Sequence, residues 1–184
     1  MTEREILQRL KKLRESSGHI NENTIEEKKR KDILKRKWIT YFRENIEIYI
    51  NCRMGFHCYG YQTFSYHLMN EAEQYIEVST RGLGKSLKVI GFASARALLY
   101  PHSKIGVTAV GSSQANENYL TAFMQELVLH PYSWLLNWLY THKMITSRET
   151  DKGYQVTFWN GSIMYFFPCI NSSRGKIIKK YLIM

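Results

Sequence analysis

A chain of 184 residues with 44% hydrophobic and 14% aromatic residues has enough apolar material for one ordinary domain plus an extension. Its 26 Lys and Arg against 16 Asp and Glu give a formal charge of +10, which points to polyanionic partners, nucleic acid first, through counterion release. No apolar run is long enough to cross a bilayer, Met1-Thr2-Glu3-Arg4-Glu5 lacks the apolar stretch of a secretory signal, and three cysteines cannot all pair within the chain, so the expectation is a reducing intracellular compartment without membrane.

From the start, Ile6, Leu7, Leu10 and Leu13 fall on one helical face between Glu3 and Arg14 with basic residues opposite, a pattern that needs a partner surface. Ser16-Ser17-Gly18 breaks it, and Thr24-Ile25-Glu26-Glu27 has capping-box spacing for a second, longer helix. Leu34, Trp38, Phe42, Ile46 and Tyr49 recur along that helix and read as packed core. Lys28-Lys29-Arg30-Lys31 reads as a solvated face able to touch phosphate. Cys52, His57, Cys58 and His67 lack Cys-x-x-Cys or His-x-x-x-His spacing, and so read as buried or incidental residues rather than zinc ligands.

Chemistry concentrates next. Tyr75-Ile76-Glu77-Val78 reads as a strand, and Lys85 to Tyr100 as a helix stopped by Pro101, with Ser79-Thr80-Arg81-Gly82-Leu83-Gly84-Lys85-Ser86 linking the two. That order suits a phosphate-binding loop. Gly82 and Gly84 let successive N–H groups face phosphates, the helix N-terminus adds positive dipole, Lys85 reaches the β/γ oxygens and Ser86 offers a hydroxyl to Mg²⁺. ATP with Mg²⁺ is the expected ligand. Ser79 stands where the usual loop has Gly, and a Gly-Lys-Ser triplet by itself is common, so the competing reading is a plain turn. The strand-like run Lys104-Ile105-Gly106-Val107-Thr108-Ala109-Val110 supplies the context of a βαβ unit. Gln62 upstream can present its amide to an adenine edge, or is simply an exposed glutamine.

Ser112-Ser113-Gln114 caps a helix running towards His130, with Leu120, Phe123, Met124, Leu127 and Val128 on its apolar side and Pro131 at its end. Tyr132 to Tyr140 is too apolar all round for an exposed helix, so it is packed or forms a contact surface. Tyr154–Trp159 and Ser162–Phe167 flank Asn160-Gly161, the signal of a two-residue hairpin turn.

These pieces have a familiar order. Tyr41-Phe42-Arg43-Glu44-Asn45-Ile46, Tyr61-Gln62, the loop with Arg81 inside it, Ala97-Leu98-Leu99-Tyr100-Pro101, Asn160-Gly161-Ser162, Arg174-Gly175-Lys176 and Tyr181-Leu182-Ile183-Met184 follow one another, so that residues 38 to 184 resemble the ATPase domain of phage terminase large subunits. Those are motors that drive double-stranded DNA into a procapsid. The resemblance implies a P-loop NTPase-type three-layer α/β sandwich with the strand of the phosphate loop central, residues 1–50 being a basic helical extension and 51–184 the ATPase part. It implies that Gln62 and Ser79, Thr80, Arg81, Gly82, Leu83, Gly84, Lys85 and Ser86 bind nucleotide, with Arg81 in a catalytic role sensing or stabilising the γ-phosphate and the Ser86 hydroxyl holding Mg²⁺. Arg174 is then a finger reaching a neighbouring subunit's nucleotide, or else a surface cation.

The implied partners are double-stranded DNA, a small terminase subunit, a portal protein and further copies in a ring. The implied place is the cytoplasm of an infected or lysogenic bacterial host and, transiently, the procapsid portal. In that family an apolar strand leads into Asp-Glu, with a separate nuclease domain beyond, whereas here the run ends at Met184. The expectation is therefore an incomplete domain that binds ATP but does not hydrolyse it alone. Two alternatives remain at this point: another P-loop nucleic-acid motor such as a helicase, and a non-enzymatic basic module that binds DNA.

Overall fold

In a computed structural model of the chain, residues 22–78, 80, 82–151, 153–168 and 180–183 are described, with 22–25 and 180–183 as backbone course only. Ser79, Arg81, Arg174, Met184 and the expected helix Glu3–Arg14 lie outside them. The chain divides into two compact units, residues 1–41 and 42–184. No helix among the described residues is long and apolar enough to cross a membrane.

In the second unit, five strands, β1 (Lys104–Ala109), β2 (Ile145–Thr150), β3 (Gly153–Phe158), β4 (Ile163–Pro168) and β5 (Lys180–Ile183), form one sheet in the order β2-β3-β4-β1-β5. β1 runs parallel to both neighbours, with Val107 opposite Phe166 on β4 and Leu182 on β5. The pairs β2–β3 and β3–β4 are antiparallel. The chain is thus a mixed α/β protein. β1 is buried from Ile105 through Ala109, as expected of a strand flanked by parallel partners, while β2 at the sheet edge carries Arg148 and Glu149 exposed, charges that discourage further pairing.

Helices α1 (Glu22–Glu44), α2 (Ile46–Cys52), α3 (Gly60–Glu71), α4 (Lys85–Leu99), α5 (Ser112–Glu117) and α6 (Trp134–Thr141) are joined by a π-helix, Asn118–Val128. α4 lies against α2, α3, the π-helix, β1 and β4, and buries Ile90, Phe92, Ala93, Ala95, Ala97 and Leu99. Gly91 faces α3 at close range, since a Cβ there would stand 3.1 Å from the Tyr66 hydroxyl. Burial raises the pKa of that hydroxyl well above its ordinary value, so it stays protonated in the helix interface.

Several expectations change. Tyr75–Val78 joins no ladder and has no regular structure, with Ile76 and Val78 exposed, and the strand that occupies the middle of the parallel set is β1. The stripe expected as core divides, for Phe42 and Ile46 are buried whereas Leu34 and Trp38 are exposed. The helix after Ser112 winds as a π-helix, its last turn closed by the Leu129 N–H on the Met124 carbonyl, five residues back. One extra residue per turn rotates the face, so Leu120 is exposed and Tyr119 and Ala122 are buried instead, with the Tyr119 ring stacked on Tyr154 at 4.1 Å. α6 buries Leu136 and Leu139 but exposes Trp134 and Trp138, so its apolar surface is only half packed. The β3–β4 connection is four residues, Trp159–Ser162, rather than two, because Asn160 and Ser162 are drawn to the end of α4.

Candidate functional site

The two ends of α4 are built differently. A helix leaves its last carbonyls without intrahelical donors, and here every one is met by a side chain from a distant segment. Asn160 Nδ2 donates to the Ala97 carbonyl at 2.8 Å and the Leu98 carbonyl at 3.2 Å. The Arg43 guanidinium donates to Leu99 through Nε at 2.9 Å and Nη2 at 2.7 Å, and the Ser162 hydroxyl donates to Tyr100 at 2.9 Å. Arg43 and Arg96 each lie over the Tyr100 ring, 4.7 and 4.4 Å from its centroid. Asn70 joins the set by accepting from Arg96 and donating to the Arg43 carbonyl. Gly161 is required in this clamp, since it has φ +79° and a Cβ would stand 2.4 Å from His102 Nδ1.

At the other end the helix starts from Gly84, whose φ of +65° is left-handed and which has no side chain to accept from the first-turn N–H groups. Gly82, at φ +85°, turns the loop just before it. Lys85 and Ser86 open the first turn, half-buried, and Lys85 Nζ donates to the Thr80 carbonyl at 2.8 Å. Leu83 is exposed, and its carbonyl accepts from the Tyr61 hydroxyl at 3.1 Å. This is the geometry of an anion cradle: glycine backbone, a helix N-terminus and one lysine. A serine hydroxyl in the first turn suits an Mg²⁺ ligand.

Gln62 is brought to the same place, though part of its amide is already engaged. Its Oε1 accepts from the Tyr59 N–H at 3.0 Å, closing the cap of α3, and its Nε2 lies 3.4 Å from where a Gly84 Cβ would be. Tyr59 and Tyr61 stack beside it, ring centroids 6.1 Å apart, both exposed. Of the remaining candidates, Cys52 is exposed and Cys58 half-buried, and the Cys58 thiol is pushed up to about 11 by burial, partly offset by a hydrogen bond to Tyr66. No group of three or more metal-ligating side chains occurs among the described residues.

Sequence reasoning missed the buried tie behind the loop. Lys88, on the inner face of α4, pairs with Glu77, donates to Ser65 Oγ at 3.2 Å, and is 2% exposed. Glu77 also accepts from the Tyr75 hydroxyl at 3.0 Å. The chain ahead of the loop is thus fastened to α3 and α4 through side chains in place of a strand ladder. The signal was present, as a lone lysine between Leu87 and Val89-Ile90 and a lone glutamate within Tyr75–Val78. Comparison with family models, with curated proteins and with solved structures finds no match to this chain.

Proposed function

We propose that this chain is the ATP-binding part of a motor of the phage terminase large-subunit kind, which uses ATP to move double-stranded DNA. The observation that carries the reading is the loop itself: two glycines at positive φ lead directly into the N-terminus of α4, with Lys85 and Ser86 in its first turn. Lys85 would meet the β/γ-phosphates as a point charge, Ser86 would hold Mg²⁺, and the Gln62–Tyr61 corner would face the base. Bound Mg²⁺ would neutralise phosphate charge.

The parallel strands β4, β1 and β5, with α4 against β1 and β4, support assigning the sheet to a P-loop sandwich. The terminase assignment draws further support from the clamp, because Tyr41–Ile46, Ala97–Pro101 and Asn160–Ser162, three of the segments that carry the resemblance, meet there through Arg43, the carbonyls of residues 97–100, Asn160 and Ser162. For DNA, the support is the charge of +10 and the exposed run Lys28–Lys31, where the one ion pair among the described residues, Lys31 with Glu27 at 3.9 Å, is solvent-exposed and so holds little.

Nucleotide titration of two variants tests the proposal. Lys85→Ala removes the charge at the cradle, and Lys104→Ala removes an exposed charge at the start of β1. Lys85→Ala should weaken Mg-ATP binding about 10- to 100-fold, the size of a lost charge-assisted hydrogen bond, and Lys104→Ala by less than about twofold. Equal losses would reduce the binding to general attraction by a basic surface and end the nucleotide reading.

A further inference from the structure

A second concave site lies where the loop after α2, the end of the π-helix and the first turn of α4 meet. Its volume is about 260 Å³, below the range of drug-sized ligand pockets and suited to one side-chain group. Among the described residues that line it, Glu126 is the one carboxylate, no lysine or arginine occurs, and Glu126 has no partner. In a chain of net charge +10 this is a local reversal of sign. Ser133 lines the same cavity at 1% exposure, and its Oγ has no hydrogen-bond partner among the described residues, although a buried hydroxyl normally finds one.

Aromatic rings supply the rest of the wall. His57 and His130 flank Tyr132, with centroids 6.2 and 5.4 Å away, and Phe56 and Leu87 add apolar surface. Gly55 makes the close approach possible, since it has φ +80° and a Cβ would stand 2.0 Å from the Tyr132 carbonyl oxygen. A carboxylate, a free hydroxyl acceptor and flat aromatic faces together select a planar cation with several N–H donors.

We infer that this cavity binds a guanidinium group, as carried by an arginine side chain, with Glu126 and the Ser133 hydroxyl as acceptors and the Tyr132 and Phe56 rings as its walls. An ammonium would lose the fork geometry, and a phosphate would meet the Glu126 charge with no lysine or arginine among the described lining residues to balance it. Leu87 follows Ser86 directly, so an occupant would also press on the first turn of α4.

The test is a backbone-amide NMR titration of the full chain with N-acetyl-arginine amide, against N-acetyl-lysine amide, free arginine and inorganic phosphate at constant ionic strength. Saturable shifts confined to residues 55–57, 87, 126 and 130–133 are expected with the arginine amide. The lysine amide should bind several-fold more weakly, and free arginine no better than the amide because its own carboxylate faces Glu126. Glu126→Gln, a change at an exposed position that keeps the shape, should weaken the arginine amide about 10-fold, and Ser133→Ala by a smaller factor. Free arginine binding alone would move the site from polypeptide to small-molecule recognition and overturn the arginine-side-chain assignment. Saturation by phosphate instead, absence of shifts at about 50 mM arginine amide, or unchanged affinity in Glu126→Gln would overturn the guanidinium site.

Discussion

The two ends of α4 are closed in different ways by the same kind of backbone. At its C-terminus the carbonyls of residues 97–100 are all met by Asn160, Arg43 and Ser162, and two guanidinium groups bracket Tyr100. At its N-terminus Gly84 provides no side-chain cap, and the glycines give the loop its turn. If the loop holds an anion as proposed, a helix fixed in this way at its far end would receive it without moving its core. The contrast is between an end closed by side chains and an end that no side chain caps.

The largest expected effect lies between the two, at the tie that fastens the incoming chain to α4. Lys88→Met leaves the Glu77 carboxylate without its buried partner and should cost about 3–5 kcal/mol of stability in denaturant titration. Combining it with Glu77→Leu should recover much of that loss, because the cost comes from the stranded charge. If the single variant is as stable as the parent chain, the pair does not hold the loop's approach.

Next comes the clamp. Asn160→Ala removes two donations to α4 and one acceptance from the Ser162 N–H at 3.1 Å, all at a buried position, and should cost about 2–4 kcal/mol. In a chain of this length that lowers the melting temperature by about 5–10 °C. Mg-ATP affinity of the folded fraction should hardly change. A large loss of affinity with little loss of stability would erase the distinction between the ends.

Much of the secondary structure was legible in the sequence. Pro101 and Gly84 bounded α4, and the apolar run Lys104–Ala109 is β1, because local signals of that kind depend on the chain itself. Tyr75–Val78 was misread as a strand because β-branched and aromatic content gives a propensity but no partner strand, and pairing is a tertiary fact. The π-helix escaped for a related reason: apolar spacing at Phe123 and Leu127 fits both windings, and only the Leu129–Met124 bond distinguishes them. At the site, Gly82, Gly84, Lys85 and Ser86 could be named from their order. The role of Arg43 and Asn160 in closing the far end of the same helix needed the fold, since Arg43 is 56 residues from Leu99 and Asn160 is 63 from Ala97.

The most direct test of the contrast is amide NMR of the full chain titrated with Mg-ATP, following α4 from end to end. Saturable shifts should cluster at Gly82, Gly84, Lys85, Ser86 and Leu87, with the amides of Ala97 to Tyr100 nearly still. Shifts spread evenly along the helix, or centred on the clamp, would contradict the account.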